Sequence, residues 1–286
     1  MNSSGIHHAS ILRLVQIALR EDIGIGDITA ESIFSDHDMA RATFLVKQDG
    51  IICGCDIAKL VFKNIDDEIE CEFSVKDGDV VKNGETIARL KGRAASLLTA
   101  ERTALNFMQR MSGVATMANV YSQAVKGTGA KILDTRKTIP AWRILDKYAV
   151  KVGGAYNHRF GLFDMAMIKD NHALAAGSIT KAVQKCRAEI GKRNIKIEVE
   201  TQDLETIKEA LACEGVDRIM FDNFTPELMR EAVKLVSKKC ETEASGGITL
   251  DNVRAYAETG VDFISIGALT HSVKALDISM DFELTK

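Results

Sequence analysis

Proline is nearly missing from this chain: Pro140 and Pro226 are the only two in 286 residues. There is no Ser/Gly-rich linker either, so no composition break marks a flexible hinge between domains. None of the cysteines, Cys53, Cys55, Cys71, Cys186, Cys213 and Cys240, forms a C-x-x-C pair, and the single residue between Cys53 and Cys55 is poor spacing for a zinc knuckle. They read as plain buried or half-buried thiols of a reducing compartment. The N-terminus has no h-region and no apolar run approaches ~20 residues, so neither a secretory leader nor a membrane span is expected. His7 and His8 fall in what reads as a disordered tip. A basic excess is also lacking, with Lys+Arg 37 against Asp+Glu 40 and a net charge of -3. That balance argues against nucleic acid or an anionic membrane surface as partner. The expectation is a soluble, cytoplasmic protein.

The length suits one large domain or two unequal ones, and two patterns are visible. Residues 11–21 place apolar side chains at helical spacing. Short strand candidates follow at 41–47, 51–53, 69–75 and 85–90, with Asp77-Gly78-Asp79 and Asn83-Gly84 as tight turns. A long helical pattern from Ala94 to about Val125 is expected to break near Gly113. The Asp77–Ala88 stretch resembles the hammerhead strands of biotinyl or lipoyl carriers. It lacks the hairpin-tip lysine such a carrier modifies, so only the local strand geometry carries over.

After Gly129 strands and helices alternate. Strands are expected at 131–133, 165–168, 195–199, 217–221, 240–244 and 263–266, and amphipathic helices at 178–190, 203–212, 226–238 and 250–259. Such alternation implies a parallel sheet, because each crossover needs a helix. Each strand runs into a polar cluster: Asp134-Thr135-Arg136-Lys137, Lys169-Asp170-Asn171, Glu198-Val199-Glu200, Asp222-Asn223, Ser245-Gly246-Gly247 and Gly267-Ala268. In a β/α barrel those ends converge on one face; an open doubly wound sheet would gather them less tightly.

The densest stretch is 134–172, where Arg136, Lys137, His158, Arg159 and Lys169 stand beside Pro140, Gly153, Gly154 and Gly161. Cations brought together by loops suit an anion, because several fixed donors share its charge. Lys169 at a strand end is also a candidate Schiff-base amine. Glu200 and Asp222 suit Mg²⁺ with a ribose diol or a developing cation, or else salt bridges to the neighbouring cations. Glu198 shares a strand face with Glu200, and spacing leaves open which of them acts. The two glycine turns suit a phosphate bound by backbone N–H groups, or are ordinary left-handed turns. Arg102, on a surface helix, faces solvent unless that helix packs on another subunit.

Taken together, ERTALNFMQRMSGVAT (101–116), GTGAKILDTRKT (127–138), KYAVKVGGAYNHRFGLFDMAMIKDNH (147–172), IEVE (197–200), EASGGIT (243–249) and YAETGVDFISIGALTHS (256–272) resemble the quinolinate phosphoribosyltransferase family over nearly the whole length. The resemblance implies an α/β fold, with an N-terminal α/β sandwich (1–115, completed by 277–286) and an open (β/α) barrel of about six units at 116–276. It implies transfer of phosphoribose from phosphoribosyl pyrophosphate to quinolinate with decarboxylation, a Mg²⁺ cofactor, and a homodimer or dimer-based oligomer. Carried over by position, Arg102 crosses from the partner subunit to a quinolinate carboxylate. Thr135, Arg136, His158, Arg159 and Lys169 hold quinolinate, with Lys137 nearer the pyrophosphate. Glu200 and Asp222 meet the ribose hydroxyls through Mg²⁺, and together with Lys137 they form the expected catalytic set. Ser245, Gly246, Gly247, Ile266, Gly267 and Ala268 cradle the 5′-phosphate. Ile139, Ala141 and Ala155 depart from the family pattern without removing a functional group. Near alternatives are a molybdenum-related paralogue and a nicotinate-using relative, against which the full cation set favours a dicarboxylate.

Overall fold

The computed structural model describes residues 4–285, with side chains from residue 9. In chain order the elements are α1 (Ser4–Ile23), α2 (Ile28–Ile33), β1 (Met39–Val46), β2 (Gly50–Ile51), α3 (Cys55–Ile65), β3 (Glu70–Phe73), β4 (Val80–Val81), β5 (Thr86–Arg93), α4 (Ala94–Ala124), β6 (Lys131–Leu133), α5 (Arg143–Val152), β7 (Met165–Ile168), α6 (Asp170–Ala176), α7 (Ile179–Ile190), β8 (Lys196–Thr201), α8 (Leu204–Ala212), β9 (Arg218–Asp222), α9 (Pro226–Val236), β10 (Glu241–Ser245), α10 (Val253–Ala257), β11 (Phe263–Ser265), α11 (Ala268–His271) and β12 (Ile278–Leu284). They form two compact units, one of Met1–Asn119, Thr138–Gly154 and Ser272–Lys286, the other of Val120–Lys137 and Ala155–His271. Among the described residues no helix is long and apolar enough to cross a membrane.

The first unit is built on an antiparallel sheet in the order β12-β1-β5-β3. Alternate residues of β1, Ala40, Ala42, Phe44 and Val46, are buried, as period-two patterning requires of a sheet covered on one face. Phe44 meets Phe62 of α3 and Phe73 of β3 at centroid distances of 6.0 and 6.2 Å. The last strand joins this sheet by pairing with β1, from Ala40 opposite Leu284 to Val46 opposite Ile278. Helix α1 begins at Ser4 and takes in His7 and His8, where a disordered tip was expected; their side chains lie outside the described ones.

Two helices of this unit differ from expectation. Helix α3 carries no cap in its own sequence. Its first N–H groups, from Gly54 and Cys55, donate to Asp77 Oδ1 at 3.0 Å each, so the cap comes from a distant loop. Helix α4 runs unbroken through Gly113. A Cβ at 113 would collide with the Lys274 carbonyl, so the glycine serves close approach of the C-terminal segment and not a break. The helical hydrogen bonds and the flanking Met108, Met111, Val114 and Ala115, all buried, outweigh the cost of one interior glycine.

The second unit holds a six-stranded parallel sheet in the order β6-β11-β10-β9-β8-β7. Strands β6 and β7 lie at opposite edges, which leaves the barrel open; the β6 edge gains one parallel bridge, Leu133 to Tyr156. Ile197, Val199, Ile219, Phe221, Ala244 and Ile264 are fully buried, as expected for strands covered on both faces. The helix starts follow local chemistry. Ser178 caps α7, Asp203 and Thr206 form a capping box for α8, and Thr225 with Pro226 opens α9. Helix α10 is shorter than the expected 250–259, the residues either side being turns.

Candidate active site

The C-terminal strand ends of the second unit surround a cavity of about 450 Å³. Its wall contains Thr135, Arg136 and Lys137 after β6, His158 and Arg159 before β7, and Lys169, Glu200, Asp222 and Ser245 after the next strands, with Met167, Met220 and Ser265 between them. Gly246 and Gly247 continue the loop from Ser245, and Ile266, Gly267 and Ala268 continue it from Ser265. Arg102 is not part of this wall. It stands on α4 in the first unit with its side chain 59% exposed, 3.4 Å from Glu101.

On the acidic side of the mouth, Lys169 Nζ lies 2.6 Å from Glu200 Oε2. The ion pair uses Lys169 as a cation, which weighs against a Schiff-base role. Burial raises the pKa of Asp222, and the nearby Glu200 charge raises it further against the pull of Lys169 and Lys137. Asn223 Nδ2 donates to Asp222 Oδ2 at 2.9 Å, and the Asn223 N–H donates to the Ser245 carbonyl at 2.8 Å. Asn223 adopts the left-handed region with φ 59°. Gly246, at φ 94°, has no room for a side chain because a Cβ would collide with Asn223. Asn223 thus ties the Asp222 carboxylate to the glycine turn.

On the basic side, the Thr135 hydroxyl accepts the Lys137 N–H at 3.0 Å, and the Lys137 carbonyl accepts the Thr270 hydroxyl at 2.8 Å. Gly267 lets the Lys137 stem and the His271 ring approach, since a Cβ there would lie 3.2 Å from Lys137 Cδ and 3.0 Å from the ring. Arg159 is half-buried, and Nη1 donates to the Met165 carbonyl at 3.0 Å. Burial lowers its pKa, and Arg136 nearby lowers it further. Two guanidinium charges held this close on one cavity wall favour an anion between them.

Beneath the mouth lies a second, buried layer. His158 Nε2 stands 3.0 Å from Glu198 Oε2 and 3.3 Å from Glu243 Oε1, and neither acid is exposed to solvent. Arg218 Nη1 donates to Glu243 Oε2 at 2.7 Å, and the Ser265 hydroxyl donates to Glu243 Oε1. Burial opposes a charge on His158, but hydrogen bonding to Glu198 and Glu243 outweighs it and raises the pKa. Burial, then the charge of Glu243, pushes the Glu198 carboxyl up to about 7. Nδ1 of His158 accepts the Arg159 N–H at 2.7 Å, which leaves the ring's proton on Nε2, facing Glu198 and Glu243. Burial would raise Glu243 too, but His158 and Arg218 reverse that and lower it. Glu198 and Glu200, equivalent by spacing, are therefore separated: Glu200 reaches the cavity and Glu198 does not.

Sequence reading gave no role to Glu243, Arg218 or Ser265, and placed Asn223 only in a strand-end polar cluster. A signal existed for Glu243, a carboxylate two residues from Glu241 on a strand whose inward positions should be apolar. Asn223 offered one as well, because asparagine is among the few residues that tolerate a left-handed backbone.

The model of the quinolinate phosphoribosyl transferase N-terminal domain matches residues 27–112, and that of the C-terminal domain matches 114–281. The probable nicotinate-nucleotide pyrophosphorylase [carboxylating] of Bacillus subtilis is 47% identical, over 98% of this chain and 96% of that protein. Quinolinate phosphoribosyltransferase [decarboxylating] 1b of Nicotiana tabacum is 44% identical, over 94% and 81%. Among solved structures, the nicotinate-nucleotide pyrophosphorylase of Francisella tularensis superimposes with a TM-score of 0.92 at 42% identity, covering 96% of each chain.

Proposed function

The chain belongs to the quinolinate phosphoribosyltransferase family, and from that membership we propose how its mouth divides the work. It transfers phosphoribose from phosphoribosyl pyrophosphate to quinolinate with loss of carbon dioxide. The products are nicotinate mononucleotide and pyrophosphate, in de novo NAD biosynthesis. The observation that carries the assignment of roles is the arrangement of charge round one cavity. Arg136, Lys137, Arg159 and Lys169 share its wall with Glu200 and Asp222.

Arg136, Arg159 and Lys169 neutralise the two carboxylates of quinolinate and aim its ring nitrogen at C1 of the ribose. Thr135 and His158 belong to the same wall, and Lys137 turns toward the pyrophosphate. As pyrophosphate leaves, positive charge grows on the ribose and is stabilised by Glu200 and Asp222. The turns Ser245–Gly247 and 266–268 receive the 5′-phosphate. Glu200 and Asp222 also suit Mg²⁺: both offer hard oxygen donors, and the pKa of Asp222 is raised partly by the charge of Glu200, a repulsion that a cation would relieve. When bound, Mg²⁺ neutralises the anionic oxygens gathered there. The ring nitrogen, cationic after ribosylation, stabilises the electron pair left on C2 when the 2-carboxylate departs as carbon dioxide, and C2 then takes up a proton.

The chain acts as a homodimer in which Arg102 reaches the mouth of the neighbouring subunit. Support comes from its exposed position on α4, outside the cavity wall of its own chain. A cytoplasmic location is supported by six free thiols. The test of function is carbon dioxide release from quinolinate with phosphoribosyl pyrophosphate and Mg²⁺; no release, or equal turnover of nicotinate, rejects the reading. The shared site is tested by mixing Arg102→Ala with Lys137→Ala. Each alone is inactive, and the mixture regains about a quarter of wild-type activity by statistical pairing of subunits.

A further inference from the structure

His158 lines the substrate cavity, yet neither of its nitrogens is turned toward it. Nδ1 accepts the Arg159 N–H at 2.7 Å, and Nε2 faces Glu198 at 3.0 Å and Glu243 at 3.3 Å. The backbone on either side is held in the same way. The His158 N–H donates to Asp134 Oδ1 at 2.8 Å and Asn157 Nδ2 donates to Asp134 Oδ2 at 2.7 Å, while Asp134 itself is fully buried. To bind a carboxylate through either nitrogen, the ring would have to abandon a bond in a region where nothing replaces it. A buried polar group left without its partner is costly, and a buried charge more so.

The pair Glu198 and Glu243 is itself braced. Arg218 joins Glu243 at 2.7 Å, lies with its guanidinium carbon 4.1 Å from the centre of the Phe263 ring, and reaches Glu241 at 3.0 Å. Ser265 donates to Glu243 from β11. Glu198 of β8 and Glu243 of β10 therefore meet the imidazole, and β9 and β11 brace it through Glu243. The chain of contacts continues upward through the Arg159 backbone to its guanidinium, which faces the mouth.

We propose that His158 is a positioning residue, held from below by Glu243 and Glu198, that sets the backbone of Arg159 so that its guanidinium meets the dicarboxylate substrate. This rests on the quinolinate reading above. Glu243 then tunes substrate recognition through His158 without touching the substrate.

The test compares Glu243→Gln, His158→Phe and the double variant with wild type. Each single variant raises the KM for quinolinate about tenfold and leaves the KM for phosphoribosyl pyrophosphate within about twofold, and the double variant is no worse than the weaker single one. Glu243→Asp restores part of the loss. Additive effects, or a KM change for His158→Phe with none for Glu243→Gln, overturn the proposal and make His158 a direct ligand. A readout on the wild-type enzyme covers the case in which a variant fails to fold. With ¹⁵N-labelled histidine, the His158 ring nitrogens stay unshifted when quinolinate is added; a shift in either overturns the inference. A wild-type enzyme that does not turn over quinolinate rejects the functional reading itself, whereas turnover with a shifted ring rejects only this proposal.

Discussion

Glu198 and Glu200 leave one strand on the same face, two residues apart, and end in different chemistry. Glu200 reaches the cavity and pairs with Lys169, an exposed cation on a strand end. Glu198 is sealed beside His158 and Glu243, where burial and like charge push its carboxyl up to about 7. The upper layer presents its charges at the cavity wall, whereas the lower layer has them sealed against each other. A residue's type names the chemistry it is capable of, but its depth decides whether that chemistry is offered to a ligand or used to hold the fold.

Substitutions that split activity from stability are the sharpest way to break this contrast. Arg159→Ala or Glu200→Gln is expected to lower kcat/KM about 10³-fold with a nearly unchanged thermal midpoint, as measured by steady-state kinetics beside calorimetry. Equal losses in both measures would erase the distinction between layers. Glu243→Leu belongs to the lower layer and leaves Arg218 without its buried partner. Its cost is expected to be about 1.5–3 kcal/mol in urea unfolding, the size of one lost charged hydrogen bond, because Arg218 keeps Glu241 at 3.0 Å as its second partner.

Asn223 bridges the Asp222 carboxylate and the glycine turn. Asn223→Ala loses the hydrogen bond to Asp222 and keeps a Cβ in the left-handed region, for an expected cost of about 1–2 kcal/mol. Asn223→Gly should relieve the backbone part alone, which a comparison of the two denaturation midpoints will resolve. The smallest effect serves as a reference from the other unit. Asp66 is lowered to about 2, first by its hydrogen bond from Arg93 at 2.7 Å. Its folded pKa lies below the unfolded value of 3.8, so it stabilises above about pH 4 and that contribution fades as pH falls toward 2. Asp66→Asn is expected to flatten stability over that window in acid titrations, with no change near neutrality beyond a constant offset.

Much of the second unit was legible because its signals are local. The strands at 131–133 and 165–168 fall where apolar runs meet polar clusters, and α8 opens at the capping box of Asp203 and Thr206. The cavity residues were legible for the same reason, since a barrel carries its strand ends to one face. Helix α3 was not legible, as its cap comes from Asp77, more than twenty residues downstream. Gly113 looked like a break because its reason, the backbone at Lys274, lies at the far end of the chain.

The sequence alone determined the alternation of strands and helices, the family, and the set of cations and acids that meets at the mouth. These depend on spacing, side-chain type and short-range hydrogen bonds, all of which travel with the chain. Only the tertiary structure decided that Glu200 reaches the cavity while Glu198 faces His158, that Arg218 pairs with Glu243, and that Asn223 locks Asp222 to the glycine turn. Those outcomes depend on distance to solvent and to partners on other strands. Electrostatic energy changes more with burial and neighbours than with the identity of the charged group.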